Sequence, residues 1–384
     1  MKRCPALVTL AWLLTACTPQ ASELAGPVRW SDVNWLHPAM SGTACRAPEG
    51  DGQMRLAERG IGGTGPITRP PTAPGPTDSK PPTGVAAVIT GFGSVCLAGL
   101  EVALAPSLTV TMDGLTTSEQ NLAAGQRAVL VATWDGHRPI TAKVAIRHEI
   151  VGPVEREVTD GIWIVAGQLV HIAPGAWVQA ALTRGNWVAV SGLPQPDGGV
   201  LASRIDTAVA GEVLLRGRLQ RNGQDYRIGT LVVVGGDVAS LAGEMVSLRG
   251  RLVGDALAVQ RAMPDQLQSD PAAAFGPGIS HFAIQALISG ARGGADPFAA
   301  HLALPPGTAL PAVAEPAILG LVRAGATGLV ATSVNVAGGE SADVGGMTAP
   351  RGTAHQPPSP GGPSFGHPGG PGPGGAGPGN GTGP

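Results

Sequence analysis

Tryptophan offers the most suggestive chemistry in this sequence, because Trp163, Trp177 and Trp187 fall close together. Exposed aromatics on β-modules stack on sugar rings or nucleobases. The same side chains also fill the core of a small barrel otherwise made of Val, Ala and Leu, and the composition favours that role. Trp134, beside Asp135-Gly136, reads as a hairpin flank. Other patterns fail on context. Gly60-Ile61-Gly62-Gly63-Thr64-Gly65 fits a dinucleotide fingerprint, yet no strand precedes it and Pro66 stands where a helix should open. Gly362-Pro363-Ser364-Phe365-Gly366 lies in a Gly/Pro-rich tail without the strand-to-helix elbow that exposes a nucleophilic serine. His148-Glu149 begins like a zinc-protease helix, but position 152 is Gly and the surroundings read as strand. Glu155 and Glu157 share one strand face, the pattern of a solvated surface. No metal site, no cofactor and no catalytic residue is expected, so the chain reads as a non-enzyme.

Cysteine carries the chemistry that is placed most sharply. Met1-Lys2-Arg3 is followed by a run that is apolar from Pro5 to Leu14 except for Thr9, which is an export signal too short to span a bilayer. Leu14-Thr15-Ala16-Cys17 resembles the lipobox cut by lipoprotein signal peptidase. Small residues at 15 and 16 suit a peptidase pocket, and only the Cys17 thiol can take a diacylglyceryl group. The partner this implies is a membrane, held through the N-terminal lipid. Each acyl chain adds about 0.8 kcal/mol per buried CH₂, which makes a multiply acylated cysteine a stable anchor. By resemblance to sorted lipoproteins, a residue other than Asp after the cysteine implies an outer-membrane address within the cell envelope. Cys4 leaves with the signal and Cys17 is consumed by lipid, so Cys45 and Cys96 remain. In an oxidising compartment a disulfide between them is the natural expectation, two unpaired buried thiols the alternative.

The elements that must position these residues are thin strands between many turns. Aromatic content is 3% and there are 59 glycines, with a formal net charge of −2. Loss of Lys2 and Arg3 with the signal takes that charge from −2 to −4, and no basic cluster invites nucleic acid. Asp113-Gly114, Asp135-Gly136, Asp160-Gly161, Asp197-Gly198 and Asn222-Gly223 are hairpin signals, each with β-branched or aliphatic residues nearby. The runs between them alternate, as in Val188-Ala189-Val190, and no stretch keeps a helical period. The expected fold class is therefore all-β.

Markers then recur about every 60 residues. Gly91, Gly152 and Gly211 open the units; Leu122 with Gly125, Leu182 with Gly185 and Leu241 with Gly243 recur inside them. This divides the chain into a signal (1–16), a tether and Gly/Pro-rich linker (17–83), β-repeats at 84–149, 150–209 and 210–263, a degenerate fourth repeat at 279–337, and a tail (350–384) expected to be disordered. Tandem units of this kind are expected to touch only through limited interfaces.

The Gly60 to Gly65 run with Arg59, and Ile89-Thr90-Gly91-Phe92-Gly93-Ser94-Val95, resemble bacterial exported proteins that carry tandem repeats of a domain of unknown function. The resemblance covers roughly residues 59 to 263. It implies small β-barrel modules, somewhat like an OB-fold, in cell-envelope proteins, and it implies no activity. The functional expectation is a non-catalytic lipoprotein whose tandem modules bind or scaffold an envelope protein or polymer. The alternatives are a carbohydrate- or polymer-binding module using the three tryptophans, and an enzyme of unrecognised type.

Overall fold

A computed structural model of the chain describes residues 81–336, apart from Gly93, Ala98, His137 and residues 291–301, 303, 305–307, 309 and 325–327. The expected signal, Cys17, Cys45, the linker up to 80 and the Gly/Pro-rich tail lie outside the described residues. Among the described residues, apart from two single-turn helices and two short 3-10 turns, the regular elements are all strands.

The first module contains β1 (Thr83–Phe92), β2 (Val95–Leu97), β3 (Leu100–Met112), β4 (Leu115–Thr117), β5 (Arg127–Trp134) and β6 (Pro139–Arg147). Five of these close a ring in the order β1-β2-β3-β6-β5 and back to β1, while β4 is a hairpin extension of β3. The β3–β6 pair is parallel and the other ring pairs are antiparallel. That is the circuit of a small OB-like Greek-key barrel.

The second module repeats it with β7 (Ile150–Thr159), β8 (Ile162–Val165), β9 (Gln168–Val178), β10 (Trp187–Pro194) and β11 (Val200–Thr207), closed by the β7–β10 pair. The third uses β12 (Val213–Arg218), β13 (Gln220–Asn222), β14 (Asp225–Ile228), β15 (Leu231–Val234), β16 (Met245–Val253) and β17 (Ala256–Pro264). Its ladder runs β12-β16-β17-β15-β14-β13. Because β12 and β13 are consecutive across Leu219, the same circuit is completed through the chain itself.

Local sequence explains these elements directly. The five Asp-Gly and Asn-Gly pairs that fall among the described residues sit at hairpin turns. At the β3–β4 turn Asp113 (φ 49) and Gly114 (φ 89) both take the left-handed conformation that such a turn demands. Alternation sorts the faces: Val213 and Leu215 enter a core shared by the second and third modules, while Leu214 between them faces a cleft.

The modules are not beads on a string. Leu214 and Leu215 of β12 pair with Val151 and Ile150 of β7, and one continuous apolar cluster runs through both barrels. A smaller cluster of Val88, Trp177, Leu193, Leu201 and Leu287 joins the first module to the second. The expectation of limited interfaces is corrected by this packing: strand faces that an isolated barrel would show to water are apolar here and bury against the neighbouring module.

Residues 279–337 supply three strands, β18 (His281–Ile288), β19 (Glu315–Ala324) and β20 (Gly328–Val336). They form an antiparallel meander that joins the first module's sheet, β18 lying parallel to β1. Among the described residues these strands make no ring of their own.

Candidate functional site

Where the modules meet, charged residues are buried in number. The last residue of β6 and the connection to β7 read Arg147-His148-Glu149, and all three side chains are buried. Glu149 Oε1 accepts from Arg127 Nη1 at 2.9 Å and from Arg147 Nε at 2.8 Å, and Oε2 accepts from Arg147 Nη2 at 3.0 Å. Arg147 Nη1 also donates to Asp265 Oδ1 at 2.8 Å, and Nη2 to Oδ2. Asp265 follows β17, so this chain of bonds ties the first module to the end of the third.

A second set is centred on Asp113. Its Oδ2 meets His148 Nδ1 at 2.7 Å, and its Oδ1 accepts from the His148 amide at 3.0 Å and from Arg216 Nη1 at 3.0 Å. Arg249 Nη2 donates to the Asp113 carbonyl at 2.7 Å, while its Nη1 bonds Glu212 at 2.7 Å. Three guanidiniums (Arg127, Arg147, Arg216) therefore face three carboxylates (Asp113, Glu149, Asp265). Burial of ions is tolerable only with this matching, because each uncompensated charge costs several kcal/mol.

The balance shows in the acidities. Burial alone would push the Glu149 carboxyl up, but Arg147 and Arg127 beside it, with Arg216 further off, hold it down at about 2. Asp113 is likewise raised by burial and driven well below the ordinary carboxylate range by the His148 ring, Arg216 and the His148 amide. Carboxylates with depressed folded-state acidities stabilise the fold above their unfolded values and lose that contribution as pH falls through the folded ones. The contribution of these two carboxylates to stability, measured by urea unfolding, is thus expected to stay level near neutrality and to fall from about pH 4.5 towards 2, at up to about 1.4 kcal/mol per pH unit for each proton taken up. A Glu149→Gln variant that keeps the full acid slope would show that this carboxylate is not the sensor.

Above this floor opens a cavity of about 880 Å³, lined from all three modules and both connections between them. Met112, Asp113 and Leu115 to Thr117 come from the first, Arg204 and Asp206 from the second, Leu214 and Arg249 from the third, with His148, Val209 and Glu212 from the connections. Arg204 bonds Asp206 at 2.7 Å and reaches across to the Ala124 carbonyl at 3.0 Å. The Asp113 contact fixes the His148 ring by Nδ1, and no described residue bonds its Nε2. An oriented imidazole and paired charges around a space of this size suit recognition of a small polar ligand.

The tryptophans singled out from sequence lie outside this cavity. Trp177 is buried in the cluster between the first and second modules, while Trp163 and Trp187 are half-buried against the core of the second and third. Glu155 accepts from the Gly167 amide at 2.7 Å, holding the β8–β9 turn. Cys96, buried on β2, is disulfide-bonded, and every other cysteine lies outside the described residues. Among the described residues no three His, Cys, Asp or Glu side chains are grouped to hold a metal ion. Sequence reasoning passed over Arg216 and Asp265, read Asp113 only as a hairpin residue, and set His148 aside with the failed zinc-protease pattern. The one local signal was a charged Arg147-His148-Glu149 triplet set between apolar strands at a repeat boundary, where solvent should be scarce.

Against known proteins, the model of a family described as a domain of unknown function, DUF5666, matches residues 151–206, which is the second barrel. No curated protein and no solved structure matches the chain.

Proposed function

We propose that this chain is a non-catalytic lipoprotein of the bacterial cell envelope, held at the outer membrane by acylated Cys17, whose β-modules act as one preassembled body that binds or scaffolds an envelope partner. The observation that carries the reading is the buried charge network. Six ionised side chains from the first module, the third and the connection between the first two are matched to one another. Burying them fixes the modules in one arrangement, which is what a presenting surface needs and what freely jointed repeats lack. The lipobox-like Leu14-Thr15-Ala16-Cys17 and the polar segment after it supply the anchor and the tether.

The anchor is tested by Cys17→Ser. Wild-type protein made in a Gram-negative host is expected in the detergent phase after cloud-point separation, and the variant in the aqueous phase. Equal partition of the two would remove the lipoprotein reading. The second cysteine proposal is that Cys45 is the partner of Cys96. Peptide mapping without reduction should yield one cross-linked peptide containing both, and a Cys96 peptide joined to Cys4 or Cys17 would contradict the anchor as well.

A further inference from the structure

We infer that the junction cavity binds a neutral, polyhydroxylated ligand, a short run of sugar units. This rests on the binding role proposed above and names the ligand class for it.

The argument begins with charge. Every ion in the lining already has an opposite beside it: Arg204 with Asp206, Arg249 with Glu212, and Asp113 with Arg216. An anionic ligand approaching Arg249 would meet Glu212 and Asp113. A cationic one approaching Asp206 would meet Arg204. Neither sign gains without a matching repulsion, so a net charge on the ligand is disfavoured.

A wholly apolar ligand fares no better, because it would strip water from these pairs and offer nothing in return. What the pairs retain is unused hydrogen-bonding capacity of both kinds. A guanidinium has five N–H donors and a carboxylate about four acceptor sites, and the bonds above use only part of each. Thr116, Thr117 and Thr207 add hydroxyls that donate or accept. Hydrogen bonds to ionised partners are the stronger class, and here the partners are already held in place.

Apolar surface completes the match. Val209 is 91% exposed and Leu115 71%, the two most exposed large apolar side chains among the described residues, and both line this cavity. Isolated exposed leucines and valines are common, but two of them beside one polar cleft form a place for C–H surface to rest. A sugar ring presents both features at once, hydroxyls around its edge and C–H patches on its faces. The half-buried Trp163 and Trp187 are not part of this lining.

The test uses the full mature chain in detergent, titrated calorimetrically with maltotriose, cellotriose and tri-N-acetylglucosamine, with trigalacturonate as the anionic probe and tetra-alanine amide as the peptide probe. At least one neutral trisaccharide is expected to bind, with trigalacturonate weaker by roughly tenfold or more. Ala208→Trp, which fills the cavity from the connection between the second and third modules, should weaken binding by roughly tenfold at unchanged melting temperature. Leu115→Ala with Val209→Ala removes only exposed side chains, leaves folding untouched, and should weaken binding by about threefold or more. Binding by none of the three sugars, tighter binding of trigalacturonate or of the peptide, or unchanged affinity in both variants would overturn the inference. None of these outcomes alters the detergent partition of the wild type, so a failure here is distinguishable from failure of the anchored-lipoprotein reading.

Discussion

Glu149→Ala is expected to cost about 3–5 kcal/mol of folding stability, the range for breaking a buried ion pair by removing one partner. The reason is what remains. Arg127 and Arg147, both buried, would lose the carboxylate they share, while Arg147 keeps Asp265. Urea unfolding followed by tryptophan fluorescence and by circular dichroism measures the loss. Because the network crosses from the first module to the third, the transition should move as a whole rather than split. A variant that loses less than about 1 kcal/mol, the size of an exposed pair, would mean that water reaches the junction.

Gly125→Val should be comparably severe for a different reason. Gly125 has φ of +86°, which strains any residue with a Cβ. A Cβ placed there would lie 2.4 Å from Trp177 Cε3 and 2.8 Å from both Arg204 Cβ and the Ser203 carbonyl oxygen. Strain of about 1–3 kcal/mol then adds to overpacking of similar size. Gly185, its counterpart in the second module, has φ of +89° but nothing within 4 Å. Gly185→Val should therefore show the strain alone, and the difference between the two melting shifts isolates the contact across the modules. Equal shifts would mean that the first and second barrels do not depend on that approach.

The pair also shows how far the sequence could be read. Glycines recur in the sequence at 125, 185 and 243, and φ is positive at all three. Hairpin dipeptides announced the turns, since a type I′ turn leaves few residue choices. Nothing comparable announces how modules pack. Local rules place Arg and Glu in solvent, and at Arg127 and Glu149 that expectation is reversed because the fold buries them against each other. Trp177 and Trp187 are the same residue type in one repeat, yet one faces another module and the other its own core. Only the three-dimensional arrangement separates them, and the candidate site, built from the ends and connections of three modules, was legible in none of them singly.

The parallel seam between β1 and β18 bears on the order in which the protein can be made. β1 lies between β5 and β18 in its sheet, and the Val88 amide donates to Gln285 Oε1 at 2.8 Å across 197 residues of chain. Ribosomes deliver β1 early and β18 late. In the interval the first barrel can close, but one flank of β1 keeps unpaired amides and carbonyls, the kind of edge to which stray strands add. Contacts between residues so far apart are also the slowest to form. The first module is thus begun first and completed only after the second and third have been synthesised, and a nascent chain halted between them would carry an open, adhesive margin.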